Sequence, residues 1–579
     1  MMKTKYIIVA IVGALLTLTS CVQDLETLPL NDWEMTSENS YGNDKDAYVQ
    51  GLARLYFNFV TNDTTDLLVS DGGASELIRS FWSCQEVSTD EAKVAWGDAW
   101  CTAINNNVWD DSENDMVYAV FVRTLQGITF VNEYLRQTAP SKLAARGVDA
   151  ALAAEIEGFR AEARFLRAYF YWMAMDIFGD VPFTTEDSAI GAEAPKQKPR
   201  KEVYNFIVSE LTELAGENSA MPAAKSNRPR ADKGSVLGLL ARVYLNAEVY
   251  TGTPAWGECK GVCEDIFALG YTLCSNYEHL FRGDNGENPD AYNEFLFYAS
   301  YEQDSAQSWG GGTFLTCAAI GSEERYVMVD DKPVSSRLGV GGGWNGLHVH
   351  EHVVNTHFNP TNVTWGENGS YTIADKRGAN VFVTERRSKG DFTVLLNTFF
   401  EGYGCWKFNN IPSNEDGKTF YERTGSPDKS TNIDYPLIRL GEIYLAYAEA
   451  CARLNEGATA QAKMNELAER TGVAAITVPA SWSDAAMKLF REERARELFW
   501  EGHRRTDLIR YNCFTNDSYL CPSRVVLLQA RHLRITRNSL QFPRRRFLHS
   551  MATSKTPRAI SQKKLVLNTF INNPFLLTF

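Results

Sequence analysis

Apolar residues recur at alternating steps of three and four over several long stretches, the spacing of one helical face. The clearest runs from Ala150 to Phe178, where Ile156, Phe159, Ala163, Leu166, Phe170, Met173 and Ile177 keep the step throughout. Phe165, Tyr169 and Trp172 make its second half apolar nearly all round, so this helix is expected to be buried between neighbours. Gly179 ends it and Pro182 opposes a restart. The same reading predicts helices over Ala47–Val60 (Leu52, Leu55, Tyr56 and Phe59 on one side), Met116–Arg136, Lys201–Leu214 and Lys233–Tyr250. In the last of these, Gly234, Gly238 and Ala241 let a partner helix approach closely.

A further helix pair is expected from Tyr435 to Tyr511. Leu437, Leu440, Tyr444, Tyr447, Cys451 and Leu454 share a face of the first helix. The second carries Phe490, Leu498, Phe499 and Leu508 among Glu492, Arg494, Glu497, Glu501 and Arg504. A loop with Pro479 and Ser483 separates them, and Ser483 is a fit N-cap.

Two stretches lose the helical period. Leu77–Trp109 sets Trp82, Trp96, Trp100 and Trp109 among Asp, Asn, Gly and Ser, which suits a loop showing indole faces beside amides and carboxylates. Sugars are bound that way, a pyranose face stacking on the ring while polar side chains take the hydroxyls. Trp96, Trp100 and Asp98 are the candidates there, with Trp82 and Trp109 assigned to the core. From Phe281 to Asp434, Gly, Asn, Asp and aromatics dominate, and Glu294–Tyr301 reads as a short strand. Trp309 and Trp344 are bracketed by glycines in this region. His348, His350 and His352 alternate near His357, but without a defined fourth ligand they read as polar strand or loop rather than a metal site.

The chain has 579 residues, 44% of them hydrophobic, enough for a large core. Lys3 and Lys5 precede an apolar run, Tyr6–Leu18, too short to span a bilayer as a mature helix. Leu18-Thr19-Ser20-Cys21 then reads as a lipobox, with Cys21 as the thiol that accepts diacylglycerol and residues 1–20 as signal peptide; the alternative is a plain signal peptide with a chance cysteine. Several acyl chains give stable anchoring where one does not. The eleven cysteines are scattered, and for Cys405 and Cys451 a buried free thiol is expected.

IRLGEIYLAYAEA (Ile438–Ala450) and REERARELFWEGHRRTDLIRY (Arg491–Tyr511) closely resemble the C-terminal signature of the SusD/RagB family, the surface glycan-binding lipoproteins of starch-utilisation-type systems. EARFLRAYFYWMAMDIFGDVPF (Glu162–Phe183) resembles the family's first long signature. The resemblance implies a mainly α, SusD-like fold: a tetratricopeptide-like scaffold of helix pairs (41–280 and 435–511) with a large irregular, short-strand insertion (281–434), all one domain over 21–519. It implies an outer-membrane lipoprotein facing the cell exterior, with Asp24 and Glu26 resembling the acidic export tag. Such a protein hands oligosaccharides to a TonB-dependent, SusC-like transporter, with no cofactor. It places glycan-contacting aromatics after the QEVSTDEA segment, supports Tyr301 and Trp309 as second-tier contacts, and assigns the Trp344-Asn345-Gly346 segment a structural role.

Two other classes compete. A glycoside hydrolase needs paired carboxylates, and Glu86, Asp90 and Glu91 lie near the tryptophans, although helix capping or bracing accounts for them. No G-x-S-x-G, H-E-x-x-H or phosphate loop is present. A helical interaction scaffold with no sugar binding is the third class.

The last 62 residues, from Ser518, contain no Asp or Glu, where about nine are expected at the density of the rest. This tail carries +11 and the remainder −25, summing to the net −14. A basic tail can bind nucleic acid or acidic lipid, with Arg544-Arg545-Arg546 at its centre, yet an exported lipoprotein offers it no evident partner. The resemblance ends near Tyr519, and residues 520–579 are read as the product of a frameshift near Leu520–Ser523, in the gene or its sequencing. Resequencing the 3′ end is expected to reveal an insertion or deletion relative to close relatives; an unbroken frame there would reverse this reading.

Overall fold

In the computed structural model the described residues are 41–514, apart from 63–68, 70, 71, 108–113, 190, 192–193, 306, 390–398, 426, 428–429 and 475. The expectations for Cys21, Trp109 and the 520–579 tail lie outside them.

The molecule is mainly helical, with several short two-stranded sheets. The predicted long helix spans Ala150–Phe178. Asp149 caps it by accepting from the Leu152 N–H, and Gly179 ends it at φ 77°. It packs on Asp115–Gln137 and Arg200–Ala215. Gly127 is required at the first contact, since a Cβ there would lie 2.7 Å from the Phe170 ring. Consecutive helices pair along the chain, Lys233–Leu245 with Trp256–Ala268 and Leu440–Arg453 with Gly457–Ala468. That is the helix-pair scaffold expected from the sequence. Among the described residues nine cysteines, Cys405 and Cys451 included, are buried free thiols.

Four expectations need correction. Leu77–Glu86 is a wholly buried helix, not a loop, followed by a strand, Ala92–Val94, and a helix, Ala99–Asn105. The Lys233–Tyr250 helix is broken at Asn246, whose amide turns back to the Arg242 carbonyl and accepts from Arg510. Tyr435–Arg439 is a strand paired antiparallel with Phe295–Ala299, so Leu437 belongs to no helical face. Pro436 supplies no backbone donor for a helix. Gly238 sits under this sheet: a Cβ there would meet Ile438 at 2.8 Å, so its small size admits strands rather than a helix.

The fourth correction concerns the final signature. Gly457–Ala468 is a helix where only a loop was expected. Ser483 does cap the next one, Asp484–Glu497, accepting from Ala486. That helix stops, the chain turns through Trp500 at φ 67° and Gly502 at φ 80°, and a separate helix covers Arg504–Arg510. A bulky residue in the left-handed region is costly and persists only where its surroundings hold it. Here Glu91 accepts the Trp500 N–H (3.1 Å), and the Trp82 indole donates to the Trp500 carbonyl (2.9 Å).

The charges of this signature are buried. Arg439, at the strand end, bridges Glu294 (2.8 Å), Glu497 (2.7 Å) and Glu501 (2.7 Å), all nearly inaccessible to water. Arg470 pairs with Glu294 and Glu497, Arg377 with Asp375, Glu493 and Glu497, and Lys407 with Glu501. The flanking guanidiniums hold Glu497 far below the usual carboxylate range despite its burial. Removing one member leaves buried charge uncompensated, which costs about 3–5 kcal/mol. Arg439→Met is therefore expected to lower the thermal unfolding midpoint sharply or abolish soluble expression. A variant as stable as the parent would show that the network is not needed for folding.

Candidate functional site

The site is built where the helix Leu77–Glu86 and the strand after it meet the insertion. Ala92–Val94 pairs antiparallel with Leu347–Val349. That pairing delivers Trp96 onto Gly346, where an added Cβ would lie 1.9 Å from the indole. The Trp96 Nε1 donates to the Trp344 carbonyl (3.2 Å). The Trp344 ring in turn lies 6.0 Å from the ring of Trp309, tilted by 49°.

Trp309 is 44% exposed, on a turn that rests on buried groups. Its N–H donates to the Asn62 side chain (3.1 Å). Next to it, Gly310 lies against Glu76 and Gly311 (φ 47°) against the Tyr301 ring, contacts that no side chain could accept. The glycines that bracket Trp309 therefore serve close approach. The Tyr301 hydroxyl donates to Glu76 (2.6 Å), and its N–H donates to Asp434 (2.9 Å). Burial pushes Glu76 up to about 7, with Tyr301 and the Arg79 N–H opposing, and pushes Asp434 to about the same value.

Of the residues expected in the site, Trp96 is half-buried, Asp98 and Trp309 are exposed, and Trp96 and Trp309 are linked through Trp344. Trp100 and Tyr301 are not available as stacking faces. Trp100 has no exposed surface and packs on Trp96 at 6.2 Å between ring centres; Tyr301 is buried under the Trp309 turn. Both support the site from beneath. Trp82 is core, as expected. Trp344, assigned a structural role from the sequence, is half-buried and joins the two candidates. Exposed Phe399 and Phe400 flank it, with the Asn345 amide donating to the Phe399 carbonyl (3.0 Å).

The carboxylates that motivated a hydrolase are buried and engaged in the fold, though one oxygen of Glu86 has no hydrogen-bond partner. Glu86 accepts from the Gly502 and His503 N–H groups, Glu91 from Trp500, and Asp90 pairs with Arg504 at 2.8 Å, all buried. They brace the EGHRR turn. The histidines do not converge: His348 meets Arg387 (3.0 Å), His350 precedes the helix Glu351–His357, and His352 lies within it. Among the described residues one trio could gather on an ion, Cys274, His279 and Asp290. There Asp290 already accepts from the Ser275 N–H and hydroxyl and from the Cys274 thiol.

Comparison with known proteins decides the family. One family model, described as "SusD family", matches residues 362–556, and a second, "Starch-binding associating with outer membrane", matches residues 67–245. The starch-binding protein SusD of Bacteroides thetaiotaomicron is 30% identical over 556 aligned residues, covering 90% of this chain and 93% of that protein. The chain belongs to the SusD family. The first match runs to residue 556, past Tyr519, where the resemblance was expected to end. Solved SusD-family structures share the fold. A SusD superfamily protein from Bacteroides vulgatus matches with a TM-score of 0.60 at 16% identity, over 86% of this chain and 95% of the other. A laminarin-binding SusD-like protein matches at 0.57 and 19%, over 87% and 96%. Of these, SusD is named as starch-binding and one solved neighbour as laminarin-binding, and the SusD family is non-catalytic.

The buried carboxyls under the site give a pH dependence. A folded pKa raised above the unfolded value favours the protonated folded state, so its stabilisation is present below about 4.5 and lost as pH rises through about 7. Glu76→Gln keeps an acceptor for Tyr301 and removes this loss. The unfolding midpoint of the parent is expected to fall between pH 5.5 and 8.5, and that of the variant to fall by a few degrees less. Parallel curves would exclude Glu76 as a contributor.

Proposed function

We propose that this SusD-family protein binds oligo- or polysaccharide on the indole face formed by Trp309 and Trp344, with Trp96 behind and Asp98 at the rim. The observation that carries this reading is the exposed Trp309 ring beside Trp344, mounted on a turn seated on a buried glutamate and tyrosine. A rigid aromatic platform loses little entropy when it stacks on a sugar, and nearby polar groups can take the hydroxyls. The relative's name, a starch-binding protein, supports a glycan ligand. Delivery to a TonB-dependent, SusC-like transporter, anchoring through acylated Cys21 and an outward-facing orientation complete the proposal, on the strength of the lipobox and the family.

Covering one large aromatic face contributes about 1.5–3 kcal/mol, roughly ten- to a hundredfold in affinity. On native gels cast with plant, host and microbial polysaccharides, the protein lacking its first 21 residues is expected to be retarded by at least one and to release no reducing ends. Trp309→Ala and Trp344→Ala should each weaken retention by that factor, with Trp309→Ala leaving the unfolding midpoint unchanged. Trp100→Ala should instead destabilise the fold, by about 3–5 kcal/mol for a buried Trp. Retention untouched by both Trp309→Ala and Trp344→Ala would place the site elsewhere. No retention on any gel by the folded parent would overturn glycan binding.

A further inference from the structure

A cleft that none of Trp96, Trp309 and Trp344 lines lies between the segment around Arg282 and the strand end at Trp406. Its volume is about 80 Å³. On the same measure a single water needs about 10–15 Å³, so the cleft holds several waters, or one ring in their place.

Its lining carries unused hydrogen-bonding groups. The Trp406 Nε1 is buried and has no partner. The half-buried Arg282 guanidinium makes no hydrogen bond or ion pair among the described residues; Glu278 and Asp284 act on it only at longer range. Burial lowers its pKa below the usual guanidinium value, the mark of a cation withdrawn from water without a contacting counter-charge. An unpaired buried donor costs free energy that a bound acceptor recovers. Asn380 uses its amide N–H on Glu278 (2.6 Å), and Asn409 uses its carbonyl oxygen on the Ile411 N–H (3.0 Å). The Asn380 oxygen, the Asn409 amide N–H and the second Glu278 oxygen are left for a ligand. Val381 adds an apolar wall beside the Trp406 ring.

We infer that this cleft is a second binding site, taking a single oxygen-rich six-membered ring, a neutral or carboxylated monosaccharide unit, with Arg282 and the Trp406 N–H donating to its oxygens. Planar donors and acceptors around one aromatic wall are the chemistry of sugar recognition. The cleft is separate from the proposed polysaccharide face and does not depend on it. Trp344 of that face and Trp406 of the cleft nevertheless rest on the same small cluster, Cys317, Ile320, Leu338 and Val340.

The test is calorimetric titration of the protein lacking its first 21 residues with glucose, galactose, mannose, xylose, N-acetylglucosamine, glucuronate and galacturonate. At least one is expected to bind saturably at one site. Arg282→Met and Trp406→Phe, which keeps a ring and loses the N–H, should each weaken it at least tenfold, and Trp309→Ala should leave it unchanged. Preference for the uronates over the neutral sugars would assign the Arg282 partner as a carboxylate, and the reverse as a hydroxyl; either supports the site. Arg282→Met should not lower the unfolding midpoint, because the guanidinium braces nothing among the described residues and the backbone bonds of this position remain. Absence of saturable binding by all seven sugars, or binding lost in Trp309→Ala and kept in Arg282→Met, would overturn the inference.

Discussion

Buried charge organises this molecule. Arg439, Arg470, Arg377 and Lys407 share Glu294, Glu493, Glu497 and Glu501 in a region sealed from water. Each ion was desolvated at a cost that apolar packing does not repay, so the arrangement holds only while every member is matched. In return it has little geometric latitude. The Phe295–Ala299/Tyr435–Arg439 sheet, the Asp484–Glu497 helix and the EGHRR turn must come together in one register or leave charge unpaired.

The three sequence signatures are one object in space. Gln85 from the QEVSTDEA segment accepts from Thr506 and donates to Asp176, which also accepts from Tyr250 and Thr506. Glu86 and Glu91 hold the turn at Trp500–His503, more than 400 residues away in sequence. The same short segment leads directly into the strand that precedes Trp96, and the helix before it is capped by Glu76 and carries Arg79, beneath the Trp309 turn. The rigidity of the core thus reaches the indole face through about twenty residues, which is how a surface built from loops can keep two tryptophan rings in a fixed relation.

Much of the scaffold was legible. The Ala150–Phe178 helix follows from an unbroken period and a glycine stop, and its observed limits coincide with those predicted. The misreadings have local causes. Leu77–Glu86 looked like a loop because Ser80, Ser83, Gln85 and Glu86 interrupt its apolar pattern; they are buried all the same, the two serines donating to carbonyls one turn earlier and Gln85 and Glu86 meeting partners distant in sequence. Leu437 continued a helical spacing by coincidence, whereas Pro436 and the facing strand decide its conformation. The charged residues of REERARELFWEGHRR have no local sign of burial, yet Glu493, Arg494, Glu497, Glu501 and Arg504 are all buried.

What the chain determines by itself is therefore the family, the helical scaffold, the position of the irregular insertion and the cluster of tryptophans between Trp82 and Trp109. These reside in local periodicity and in long motifs, which need no partner to be read. Which indole meets solvent was decided by the tertiary structure. Trp96 and Trp100 are four residues apart in one motif, but only the pairing of Ala92–Val94 with Leu347–Val349 and the vacancy above Gly346 leave one half-open and enclose the other. Exposure is a property of what packs on a ring, and the groups that pack here come from the middle of the insertion, some 250 residues away in sequence.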